Sequence, residues 1–158
     1  VLGLRYVDQR GDEVLSRAAA NALAKIADVL DPAAQEALRN PTLLPGPPGF
    51  GYPENRVPLN VFREAIRNQA KLHIDYADAS QTQSQRLVWP LALGFLNEAR
   101  VIVAWCELRG AYRTFRTDRV ASAQAQGERY PGRRSDWLRA WRTLMEQNES
   151  APFTPDKS

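Results

Sequence analysis

Cysteine and histidine are each present once in this 158-residue chain, as Cys106 and His73. One thiol cannot form an intramolecular disulfide, and one cysteine with one histidine is too few for a zinc site of the usual kind or a Cys/His nucleophile network. No apolar run approaches the roughly 18 residues that cross a bilayer, and no positive stretch leads into an apolar segment as in a signal peptide. A glycine-rich phosphate loop, a nucleophile elbow and a histidine pair at metal-ligand spacing are all missing. The expectation is therefore no enzyme, no cofactor, no metal and no membrane. A chain without disulfides suits the cytoplasm.

Lysine is scarce too, with three lysines against 18 arginines. A base-composition bias in the gene explains a ratio but not a placement. Residues 1–70 carry eight basic and eight acidic side chains, whereas 86–134 carry nine arginines against Glu98, Glu107, Asp118 and Glu128. Guanidinium forks match phosphate and carboxylate, so a local excess of this kind favours an anionic partner. The net charge of +3 is too small for broad coating of DNA.

Along the chain, "EVLSRAAANALAKIADVL" (13–30) places Val14, Ala18, Ala22, Ile26 and Leu30 four apart, the stripe of an amphipathic helix. Asp31 caps a short second helix with Pro32 in its first turn. Residues 1–39 thus form a helical segment suited to dimerisation. Residues 40–58, with six prolines and three glycines, form a linker. A short helix with Leu59, Phe62 and Ile66 on one face follows. Alternation in "KLHIDYA", then "RLVWPLALGF", "ARVIVAWCEL", "AYRTFRTD" and "RVASAQA", gives five short strands, with Pro90 marking an edge or a bend. Five strands in about 65 residues fit a small closed barrel, which removes exposed edges. The α+β domain over 59–128 is followed by a C-terminal helix in 129–148 and a disordered tail, 149–158.

The densest basic stretch, "RVIVAWCELRGAYRTFRTDRV" (100–120), holds five arginines in 21 residues. Arg113, Arg116 and Arg119 recur every third residue, so they share one pleated face only if the strand breaks near Thr117-Asp118. With such a break they converge on one rim, joined by Arg86 and Arg100, while Tyr76, Trp105, Tyr112 and Phe115 are interleaved as in a surface that stacks bases. The competing reading makes the aromatics core and the arginines a solvated rim. His73, on the strand face opposite Leu72, Ile74 and Tyr76, is either solvated or a polar pocket contact. Cys106, closing the apolar run "VIVAWC", is expected to be buried.

Taken as an ordered set, Ala65-Ile66, the strand ending at Tyr76 with Asp78, Arg86 and Pro90, "VAWCELR" and "YRTFRTDR" resemble the WYL-domain bacterial transcription regulators of the DeoR-like helix-turn-helix type. The tripeptide that names that family is here Arg100-Val101-Ile102, with neither tryptophan nor tyrosine. The resemblance implies an Sm/SH3-like five-stranded small barrel with a basic pocket for nucleotide or single-stranded nucleic-acid effectors. It implies that Arg113, Arg116, Arg119, Arg86 and Tyr76 are ligand contacts, with Arg100 and His73 as further candidates. It also implies a homodimer that binds DNA through a helix-turn-helix domain N-terminal to Val1. Two alternatives stand beside this reading: a direct single-stranded nucleic-acid binding module, and a dimerisation module with a vestigial pocket.

Overall fold

The computed structural model describes residues 1–41, 52–96 and 98–147. Most of the expected 40–58 linker and the expected 149–158 tail lie outside the described residues. The chain divides into two compact units, Val1–Gly51 and Tyr52–Ser158.

Among its described residues the first unit holds three helices, α1 (Leu2–Arg10), α2 (Glu13–Asp28) and α3 (Pro32–Arg39). Asp12 caps α2 by accepting from the Leu15 N–H at 3.2 Å, and Asp31 caps α3 by accepting from Ala34 at 2.8 Å. At the α1–α2 turn a Cβ on Gly11 would lie 2.5 Å from the Val7 carbonyl oxygen, which restricts that position to glycine. The stripe expected on α2 is covered only in its second half: Val14 is 61% exposed and Ala18 is exposed, whereas Ala22, Ile26 and Leu30 are half-buried, beside buried Ala19 and half-buried Leu15 and Leu23. Residues four apart advance about 40° beyond a full turn of a 3.6-residue helix, so five of them wind off any one face.

The second unit is α+β. It comprises α4 (Leu59–Asn68), β1 (Ala70–Ala77), β2 (Gln83–Phe95), β3 (Arg100–Cys106), β4 (Ala111–Arg116), a 3₁₀ turn (Thr117–Arg119), β5 (Val120–Arg129) and α5 (Arg134–Gln147). The strands form one antiparallel sheet in the order β4-β3-β2-β1-β5. The expected barrel is not closed. β4 and β5 remain the two edges, because β4 ends after six residues in the 3₁₀ turn and β5 then pairs along β1.

Pro90 sits inside a central strand, where a missing N–H would ordinarily break a ladder. The register accommodates it by a shift between Pro90 and Ala92, across which Pro90 faces Ala104 and Ala92 faces Val103. Leu91 is the extra residue, and it is fully buried.

Residues directly opposite in an antiparallel pair share a face. On one face Leu72, Ile74, Tyr76, Val88, Ile102, Ala104, Cys106 and Phe115 meet Leu59, Phe62 and Ala65 of α4 in a single apolar core. The Tyr76 and Phe115 rings touch edge to face at 5.0 Å. We call this the α4 face and the opposite one the α5 face. Gln69, left-handed at φ 54°, ends α4 and ties the next elements together. Its carbonyl accepts from the Tyr130 N–H at 3.1 Å, and its side-chain amide donates to the Gly132 carbonyl at 3.1 Å.

Phe62 is 0% exposed at the centre of that core, so Phe62→Ala is expected to destabilise the second unit by about 3–5 kcal/mol, read from urea unfolding. Cys106 is equally inaccessible. Native-state labelling by a thiol reagent is expected to proceed only as fast as the sheet opens; labelling as rapid as in urea would contradict that.

Candidate functional site

The alternation of β4 decides where the arginines go. Phe115 faces Ile102, Arg113 faces Ala104 and Ala111 faces Cys106, so Arg113 stands on the α4 face. Arg116 faces Val101 on the other side, because three steps along an unbroken strand reverse the face. The break at Thr117–Arg119 comes one residue too late to return Arg116 to the side of Arg113. On β2, Arg86 faces Ile74, again on the α4 face, with its Nε donating to Ser84 Oγ at 3.0 Å. Two half-buried guanidiniums thus share the side that carries the core.

Their spacing follows from the register. Val88, Cys106 and Ala111 form a row across β2, β3 and β4; Arg86 lies one side-chain row to one side of it and Arg113 one row to the other. On a flat sheet that separates their Cα atoms by about 17 Å. Flexible arginine side chains shorten the gap between the charges. They fit an extended ligand carrying more than one anionic group.

The other candidates have different surroundings. Arg116 makes a bidentate pair with Asp118, Nε to Oδ1 and a terminal nitrogen to Oδ2, both at 3.0 Å. This hydrogen-bonded partner holds the arginine pKa above its usual value. The Arg116 N–H donates to the Tyr76 hydroxyl at 3.4 Å, so Tyr76, 2% exposed, supports the end of β4 from within the core. Arg119 lies in the 3₁₀ turn, where its positive charge contributes to lowering the Asp78 pKa. The larger cause is the Ser80 hydroxyl donating to that carboxylate, whose Oδ1 also accepts from the N–H groups of Ser80 and Thr82 to organise the β1–β2 turn. Arg100 lies 4.3 Å above the Tyr52 ring, a cation–π contact. His73 faces Leu87 and Gln124 on the α5 face.

The four interleaved aromatics do not make one stacking surface. Tyr76 and Phe115 are buried on the α4 face, while Trp105 and Tyr112 face each other on the α5 side. There they join a cluster that pattern reading did not assemble. Trp137 of α5 lies 4.9 Å from Trp89, 5.3 Å from Trp105 and 6.2 Å from Tyr112, and Trp89 stacks on Tyr130 at 5.8 Å. The polar ends of these rings are bonded as well. The Tyr112 hydroxyl donates to the Trp137 carbonyl, Trp137 Nε1 to the Pro131 carbonyl, and Trp89 Nε1 to Glu107 at 2.7 Å. Lys71 completes the group, 3.0 Å from Glu107 and 5.7 Å from the Trp89 ring centre. Trp89 and Trp105 are opposite one another in the register, a signal available only once the strands are paired.

Residues 58–125 match the family model of the WYL domain. Among solved structures it is similar to "Proteasome accessory factor B/C (PafBC) of Arthrobacter aurescens", at 29% identity and a TM-score of 0.45, over 47% of this chain and 12% of that one. The chain thus spans about an eighth of that protein's length. No curated protein matches.

Glu107 generates a pH prediction. The Trp89 indole N–H, and after it Lys71, hold its carboxyl below the usual glutamate value. A depressed carboxylate contributes stability that is present above the unfolded pKa and lost as pH falls through the folded one. Between about pH 5 and about pH 3, the wild-type second unit is expected to lose more stability than Glu107→Gln, measured by urea midpoints at each pH. Parallel losses in the two proteins would show that the Trp89–Glu107–Lys71 group carries no such linkage.

Proposed function

We propose that this chain is the effector-sensing part of a bacterial helix-turn-helix transcription regulator, a binding protein and not an enzyme. Its effector is a nucleotide or short single strand carrying at least two phosphates. The observation that carries this reading is the pair Arg86 and Arg113 on the apolar side of the sheet. Both are half-buried there, Arg86 donating to Ser84 Oγ and Arg113 to the Tyr112 carbonyl. A phosphate-bearing ligand suits such a pair, because each guanidinium fork can make two charge-assisted bonds to a phosphate. The match of residues 58–125 to the WYL domain supports the assignment to regulators.

In this reading Arg86 and Arg113 are the primary contacts. Arg119 adds positive charge at the end of β4, and Arg116 and Tyr76 hold that end in place, with Arg100 and His73 peripheral. DNA binding belongs to a helix-turn-helix domain elsewhere in the same protein, which works as a homodimer in the cytoplasm. The sheet is related to the small Sm/SH3-like barrel, and Arg86 and Arg113 stand on its α4 face.

Arg113→Ala is expected to weaken binding of a phosphorylated dinucleotide by roughly 1.5–3 kcal/mol, about tenfold or more by calorimetric titration, with the melting temperature nearly unchanged. Arg116→Ala is expected to behave differently. It strands the Asp118 carboxylate, whose side chain is only 14% exposed, and so lowers thermal stability. If Arg113→Ala binds the dinucleotide as tightly as wild type, the α4 face is not the effector site.

A further inference from the structure

Ser84 stands two residues before Arg86 on β2 and opposite Tyr76, so it shares the α4 face with that arginine. Its hydroxyl is used in both directions. The Oγ–H donates to the Tyr76 carbonyl at 3.3 Å, and the oxygen accepts from Arg86 Nε at 3.0 Å. Tyr76 is 2% exposed and belongs to the core, so this short relay ties the guanidinium to a fixed part of the sheet. The bond to Ser84 is the only hydrogen bond of the Arg86 side chain among the described residues, and Arg86 enters none of their ion pairs. Arg116, by contrast, spends Nε and a terminal nitrogen together on Asp118.

We propose that Ser84 is a positioning residue for the effector, one that acts through Arg86 and does not itself touch the ligand. The role rests on the effector function proposed above for Arg86 and Arg113. A guanidinium can offer an anion two forks, one side-on from Nε–H and a neighbouring terminal nitrogen, and one end-on from the two terminal nitrogens. Ser84 occupies Nε–H, which closes the side-on fork and leaves the end-on fork for a phosphate. Holding Nε also removes freedom that the long side chain would otherwise lose on binding, so less of the ordering cost falls on the complex. The serine proton already goes to the Tyr76 carbonyl, and Ser84 therefore has no donor left for an anion. Ser84 and Arg86 are both half-buried, which strengthens their bond relative to one in open water.

The test is calorimetric titration of the full chain with a phosphorylated dinucleotide. Wild type, Ser84→Ala, Ser84→Thr, Arg86→Ala and the Ser84→Ala/Arg86→Ala double variant are compared, each checked by circular dichroism. Ser84→Ala is expected to weaken binding about threefold to tenfold, and Ser84→Thr, which keeps the hydroxyl, to bind as wild type does. In the Arg86→Ala background Ser84→Ala is expected to add nothing, because a residue that acts through another has no effect once that other is gone. In the free protein the Arg86 Nε–H resonance is expected to be distinct in wild type and Ser84→Thr, and to move toward those of exposed arginines in Ser84→Ala. If Arg86→Ala weakens binding and Ser84→Ala does not, the effector function stands and the role of Ser84 is overturned. An Arg86 resonance unchanged in Ser84→Ala overturns it too, as does the same loss from Ser84→Ala in both backgrounds, which would put Ser84 on the ligand itself. No binding to wild type, or binding that Arg86→Ala leaves unchanged, overturns the effector function and the role of Ser84 with it.

Discussion

Successive side chains of a β-strand alternate between its two faces, and in β4 that alternation continues to Arg116 before the 3₁₀ turn ends it. Much of the second unit follows from this constraint. It sends Phe115 into the core against Tyr76 and puts Arg113 on the same side as Phe115. It turns Arg116 away, toward a carboxylate two residues on that neutralises it. The same alternation on β2 brings Arg86 to the side of Arg113, opposite Ile74. Arginines that look equivalent in the sequence therefore divide into two on the core side, one locked in an ion pair and one in a turn.

Both faces of the sheet need cover, and each receives a different kind. α4 supplies aliphatic and aromatic side chains to a dry core. α5 is held by an aromatic cluster in which Trp137 touches Trp89, Trp105 and Tyr112, and the polar ends of the rings reach carbonyls or Glu107. This satisfies the polar ends of half-buried rings while keeping a large contact area. Burial pushes the Tyr130 hydroxyl up to about 12, so it remains a neutral donor to the Pro90 carbonyl at 3.1 Å. Gln69 connects the two coverings, since it ends α4 and bonds to the chain on both sides of the turn into α5.

The strands and the short helix before them were legible because their signals are local. "KLHIDYA" alternates in the sequence as it does in space, and the burial of Leu72, Ile74 and Tyr76 follows. The cap at Asp31 and the break at Thr117-Asp118 were readable for the same reason. Features set by pairing were not. The Leu91 bulge, which carries Pro90 through a central strand, depends on the register with β3. The aromatic cluster depends on Trp89 meeting Trp105 across strands and on Trp137 arriving from a helix more than 30 residues later. The strict four-residue stripe on α2 drifts around the helix, so Val14 and Ala18 are exposed while Ala22 and Ile26 join Leu15, Ala19 and Leu23 on the covered side. For the site, the residue types were visible from local charge excess. Which arginines share a face required the pairing of β2 and β4 to a common neighbour.

In the proposed function Arg86 and Arg113 act together on one phosphate-bearing ligand. Side-chain Nε–H resonances of arginine report it directly, recorded for the whole chain during titration with a phosphorylated dinucleotide. The Arg86 and Arg113 signals are expected to shift along the same saturation curve while that of Arg116, bound to Asp118, stays in place. Saturable binding that leaves both Arg86 and Arg113 unmoved would contradict it.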